Sequence, residues 1–93
     1  MKIYQSKSFE KRVKKFNEKE KSELDHEIKQ IIQNPGIGSE KKGDLRGIFI
    51  HKFNMKNQMY LLAYRISNEN LELIMIGPHE NYYRDLKTYL KTR

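Results

Sequence analysis

Residues 59–87, MYLLAYRISNENLELIMIGPHENYYRDLK, decide the fold. Met59 to Ile66 is apolar and aromatic, which suits a pleated surface. Ser67-Asn68-Glu69-Asn70 is a polar turn. Leu71 to Ile76 is a second apolar run, short enough to be a buried strand. Gly77-Pro78 ends it, because proline has no N–H to give to a ladder. His79 follows at once, and Tyr82, Tyr83 and Arg84 come one turn later. A histidine, two phenols and a guanidinium therefore collect where a strand runs into a helix.

The preceding segment, Asp44 to Asn54, pairs with this one. Alternation divides it into Leu45, Phe49, His51 and Phe53 on one side and Arg46, Ile48, Ile50, Lys52 and Asn54 on the other. The aromatic side is expected to meet helices, which makes His51 a core histidine with a hydrogen-bond partner. Met55-Lys56-Asn57 is a tight turn into a strand from Gln58 to Ile66. In that strand Tyr60, Leu62, Tyr64 and Ile66 oppose Leu61, Ala63 and Arg65. Lys52 and Arg65 are then expected on the face away from the helices, where they are a positive patch or simply solvated charges.

Toward the N-terminus, Lys2 to Gln5 alternates as a short strand. Ser6 or Ser8 caps a helix whose stripe is Phe9, Val13 and Phe16, with Lys11, Arg12, Lys14 and Lys15 opposite. Asn17-Glu18-Lys19-Glu20 is an asparagine version of a capping box. It opens a helix over 18–33 with Leu24, Ile28, Ile31 and Ile32 as its buried stripe. Asn34-Pro35-Gly36 stops that helix, since the residue before proline is pushed out of the helical region. The two helices should form an antiparallel hairpin, with Phe9, Phe16, Leu24, Ile28 and Ile31 buried against Leu62 and Tyr64. His26 falls off the stripe, as a surface histidine. The loop 37–43 is rich in Gly and Lys but lacks the spacing of a phosphate-binding loop. The final helix is expected from His79 to Lys91, with Tyr82, Leu86, Tyr89 and Leu90 inward.

Composition sets the outer bounds. The 93 residues suit one small core. No cysteine is present, which excludes disulfides and thiolate metal sites and fits a reducing compartment. No run is long enough to span a membrane, and the first residues lack the apolar stretch of a secretory signal. The net charge is +7, with 9 basic and 6 acidic residues through Asn34 and 10 and 6 after it. A basic domain suggests a polyanionic partner, nucleic acid or acidic protein, though a solubilising surface explains the charge equally well.

The element order, with Asp44-Leu45-Arg46-Gly47, Leu61-Leu62-Ala63-Tyr64-Arg65-Ile66, Ile76-Gly77-Pro78-His79 and the ending through Lys87, resembles the RelE/ParE superfamily of bacterial type II toxin–antitoxin toxins. The resemblance covers nearly the whole chain. It implies an α+β, RelE-like domain over residues 1–93, a two-helix hairpin on a small antiparallel sheet in the order β-α-α-β-β-β-α with a C-terminal helix. It also implies a cytoplasmic protein with a cognate antitoxin as partner and no cofactor or metal. Many members cut mRNA in the ribosomal A site; ParE-type members poison DNA gyrase without nuclease activity.

In the nucleases the ribose 2′-hydroxyl attacks the adjacent phosphate, so a base, an acid and cations are needed. By resemblance His79, Tyr83, Lys52 and Arg46 are the candidate catalytic residues, and Arg65, Lys56, Lys42 and Arg84 the candidate phosphate contacts. Histidine's ordinary pKa near 6.5 suits proton transfer at neutral pH. Leu61 stands where the best-known nucleases carry an arginine, and Asn54 where they tend to repeat a lysine. His79 equally suits a plain helix cap.

Overall fold

The computed structural model describes residues 1–92. A five-stranded sheet forms its centre. The strands are β1 (Ile3–Gln5), β2 (Ser39–Glu40), β3 (Phe49–Met55), β4 (Gln58–Ser67) and β5 (Asn70–Pro78), in the order β1-β5-β4-β3-β2. The helices are α1 (Lys7–Val13), α2 (Glu18–Gln33) and α3 (Tyr82–Thr92). The meander β3-β4-β5 is antiparallel. β1 departs from the expected all-antiparallel sheet, because it lies parallel to β5 with Ile3 opposite Leu71. A crossover through both helices returns the chain from β1 to the sheet, and such a connection permits a parallel pair.

Local chemistry explains the elements. Ser6 caps α1 by accepting from the Phe9 N–H, at 3.1 Å. The capping box of α2 is complete: Asn17 Oδ1 accepts from the Glu20 N–H, and Glu20 Oε1 accepts from the Asn17 N–H. Both hairpins turn on two residues of positive φ, Lys56-Asn57 and Asn68-Glu69, the geometry that matches the twist of paired strands. The strand expected from Asp44 starts only at Phe49. A 3-10 turn at Gly43–Leu45 and Gly47 at φ +86° occupy the intervening residues.

The sheet is covered on both faces. On one, Phe9, Leu24 and Ile31 pack on Tyr60, Leu62, Tyr64, Leu71 and Leu73, with Phe16 and Ile28 half-buried beside them. On the other, α3 lays Tyr82 and Leu86 on Ile48, Ile50, Leu61, Ala63 and Met75. The helix pair and the aromatic face of the meander meet as expected. Leu45 does not join them; the 3-10 turn carries it into the α3 cluster. Ile32 is exposed, since it lies about 100° around the helix from Ile31. A register shift between Ala63 and Tyr64 leaves Ile74 as an extra residue in β5, and Ile74 and Met75 both face α3.

Candidate functional site

α3 covers only part of its face of the sheet. Register places Lys52, Leu61 and Gly77 in one cross-strand row, and Asn54 opposite Met59 in the next. The backbone N–H of His79 donates to the Met59 carbonyl at 3.0 Å, which fixes His79 at the end of this second row. Asn81 then turns the chain with φ +60°, and α3 begins at Tyr82, later than the expected start at His79. The Tyr82 N–H donates to the His79 carbonyl, so His79 stands just ahead of the helix.

The side chains at this end form a short row. The His79 and Tyr83 rings are perpendicular, with centroids 6.3 Å apart. Lys41 places its Nζ over the Tyr83 ring, 5.3 Å from the centroid, a favourable cation–π contact. Tyr83 is braced edge-on by Tyr82 at 5.8 Å. Tyr82 is buried and donates its hydroxyl to the Met75 carbonyl. Burial pushes the Tyr82 phenol well above its ordinary pKa, and the nearby Arg12 opposes the shift only in part. Tyr82 is thus a neutral support, while His79 and Lys52 remain exposed on the open side.

Lys41 is the residue that sequence reasoning missed. It forms an isolated bridge with Arg46, and its N–H donates to the Ile48 carbonyl at 2.9 Å. That register turns Lys41 toward α3. Exposed Lys42 is the next residue along and begins the 3-10 turn. A strand as short as β2 leaves almost no alternation to read, so nothing in the sequence distinguishes the two lysines.

The other candidates make contacts of their own. Arg65 shares the sheet face of Lys52, as expected. It occupies the far end of the α3 face, where it donates to Glu72 Oε1 at 2.6 Å. Arg46 is near it, in a shallow pocket shared with Asp44, Ile48 and Leu90. From Leu61 to Arg65 along β4 is about 13 Å at the usual rise, and α3 crosses between. Lys56 sits at the β3–β4 turn and pairs with buried Glu20, on the side of α2. Arg84 is 72% exposed and approaches Asp85 at 3.7 Å.

Three further side chains have structural roles. His51 is buried, with its Nε2 2.7 Å from Glu27 Oε1, so it ties β3 to α2 as a core histidine. His26 is exposed and bonds Gln30. Arg12, expected among the outward cations of α1, reaches across the edge of β5 to donate to the Ile76 carbonyl at 3.1 Å. A long side chain can carry its charge beyond its own face in this way.

Among the described residues, no helix is long and apolar enough to cross a membrane. No curated protein matches the sequence. Solved structures do match the fold. The toxin in the intact Escherichia coli RelBE toxin–antitoxin complex aligns with a TM-score of 0.66 at 17% identity, covering 85% of this chain and 96% of that one. The isolated E. coli RelE toxin aligns at 0.64 and 17% identity, over 95% and 97%. An arginine-substituted RelE bound to a RelB antitoxin peptide gives 0.66 and 17%, over 90% and 92%. At that identity the likeness is one of fold, RelE-like with helices on both faces of the sheet. Residues 3–87 match the family model described as the ParE-like toxin of type II bacterial toxin–antitoxin systems. The match spans most of the chain, and this protein belongs to that family of toxins, within the RelE/ParE superfamily.

Proposed function

We propose that this toxin is a ribosome-dependent endoribonuclease that cuts mRNA in the A site and stops translation until a cognate antitoxin neutralises it. The observation that carries this reading is the row of Lys41, Tyr83 and His79, with exposed Lys52 on the same face of the sheet two strands from β5. It offers what attack by a 2′-hydroxyl on its neighbouring phosphate requires. The 2′-oxygen bonds to phosphorus as the 5′-oxygen leaves, giving a cyclic phosphate and a free 5′-hydroxyl. One proton must leave the 2′-hydroxyl and one must reach the 5′-oxygen.

In this reading His79 gives a proton to the leaving 5′-oxygen, and the 2′-hydroxyl proton passes to water. Lys52 and Lys41 offset the charge that builds on the phosphoryl oxygens. Tyr83, in contact with both Lys41 and His79, offers its ring to a base. Arg46, bridged to Lys41 through the backbone, and Arg65 line a shallow pocket of their own beside Leu90. Their role is to hold the strand there, with Lys42 and Arg84 as outer contacts. Lys56 is committed to Glu20 and contributes least. The partner is a small antitoxin with an acidic, partly disordered segment, for which the +7 charge supplies steering.

A second reading follows from the family description, which is ParE-like. In it the chain inhibits DNA gyrase through its basic surface and catalyses nothing. Induced expression followed by pulse labelling separates the two. A nuclease stops protein synthesis first, and a gyrase inhibitor stops DNA replication first. Cleavage of mRNA in a ribosome-containing extract is the matching assay in solution. Replication arrest without any cleavage would replace the first reading with the second.

A further inference from the structure

We propose that α1 carries a second nucleic-acid surface, a basic track that holds the phosphate backbone of an RNA strand leading to the face that bears His79. The destination of the strand rests on the nuclease reading; the binding itself does not.

Two adjoining grooves make up the track. The first runs between α1 and α3 and is lined by Lys7, Lys11, Arg12 and Lys15. Asp85 is its one acidic lining residue among those described, and Arg12 and Arg84 approach it at 3.8 and 3.7 Å. The second groove shares Arg12 and Lys15 and continues past Tyr60 to Gly77 and Pro78. The next residue in the chain is His79.

Arg12 is the joint between the two. It donates to the Ile76 carbonyl, and it lies so close to Gly77 that a Cβ there would come within 2.5 Å of its Nη1. The guanidinium is thereby held in place rather than waving in solvent. Lys7, Lys11 and Lys15 are exposed, and among the described residues none of them pairs with a carboxylate. Lys7 and Lys11 are one helical turn apart, about 6 Å along the axis, a step comparable to that between consecutive phosphates of an extended strand. Unpaired cations at such a spacing, in a groove continuous with the candidate site, suit a phosphate backbone read without regard to sequence. An acidic protein segment is the competing ligand, and the test resolves it.

The test uses the full chain with His79→Ala, so that bound RNA is not cut, and reads anisotropy of a fluorescent oligouridylate across a salt series. A variant with Lys7→Ala, Lys11→Ala and Lys15→Ala is compared with one carrying Lys19→Ala, Lys21→Ala and Lys29→Ala on α2, which loses the same charge elsewhere. The track variant is expected to bind roughly tenfold more weakly at low salt and to lower the slope of log K against log salt by about 2, at ~0.7 per phosphate for a single strand. The α2 variant should change the slope by less than half as much. Melting curves confirm that both remain folded. Equal losses in the two variants would reduce the track to unspecific surface charge and overturn the proposal. Displacement of the RNA by polyglutamate at matched charge would also overturn it, in favour of an acidic protein ligand. The cleavage assay on the unsubstituted chain reports on the nuclease reading separately, since binding to the track does not require it.

Discussion

The His79 imidazole stands perpendicular to the Tyr83 ring, 6.3 Å between centroids, just ahead of α3. His79 is exposed and takes no part in the core, which Tyr82 and Leu86 close with half-buried Tyr83 packed against them. His79→Ala is therefore expected to leave the melting temperature within a degree or two of the parent. Cleavage in a ribosome-containing extract should fall by about 10²–10⁴, the usual worth of an acid–base group. Tyr83→Phe should retain most activity if the ring acts by stacking, and Tyr83→Ala should lose about tenfold or more. Full cleavage by His79→Ala would show that the histidine only precedes a helix.

Lys41 and Lys42 are neighbours with different surroundings, which gives a sharp comparison. Lys41 lies over Tyr83, whereas Lys42 is exposed at the start of the 3-10 turn. Lys41→Ala is expected to reduce cleavage about tenfold through loss of charge near the phosphate and of a contact worth about 0.5–1 kcal/mol to the Tyr83 ring. Lys42→Ala should change it less than threefold. Equal effects in single-turnover measurements would mean that only the total charge of the loop matters.

His51 belongs to stability. Its bond to Glu27 joins β3 to α2 inside the core. His51→Ala empties a stacked position beside Phe53 and leaves Glu27 without its partner, so a loss of about 2–3 kcal/mol is expected in urea unfolding. The variant should still cleave at temperatures where it is folded. A fall in activity with unchanged unfolding would move His51 from the core to the site.

The fold was legible where alternation ran long. Tyr60, Leu62 and Tyr64 against Leu61 and Ala63 sorted correctly between the two faces because β4 is ten residues of unbroken pattern. The capping box at Asn17 and the stop at Pro35 bounded α2 for the same reason, since each has a local chemical cause. Three features depend instead on partners distant in sequence. β1 lies parallel only because β5, far along the chain, supplies the edge. Lys41 faces Tyr83 through a register set by Ile48. Arg12 leaves its helix face because the Ile76 carbonyl at the edge of β5 needs a donor. At the candidate site, His79, Tyr83 and Lys52 share an end of the sheet through strand spacing. The pairing of Arg65 with Glu72 at the other end of the α3 face follows from the β4–β5 register, which no local pattern encodes.

Tyr82 gives the chain a predictable weakness at alkaline pH. Its phenol is buried under the start of α3, and burial raises its pKa from the ordinary value of 10.0. The folded state therefore keeps the proton at pH values where the unfolded chain has released it. Stability from this group is fully present below about pH 10 and declines as pH rises above it, by up to about 1.4 kcal/mol per pH unit per proton. Tyr64 is shifted in the same direction by burial, so Tyr82 carries part of the decline and not all of it. Tyr82→Phe loses the hydroxyl's bond to the Met75 carbonyl, an expected cost of about 1 kcal/mol at pH 8. Between pH 8 and 11 the variant should lose less stability than the parent, so that the two urea midpoints converge as pH rises. Parallel midpoints across that range would show that the Tyr82 phenol does not hold its proton in the folded protein.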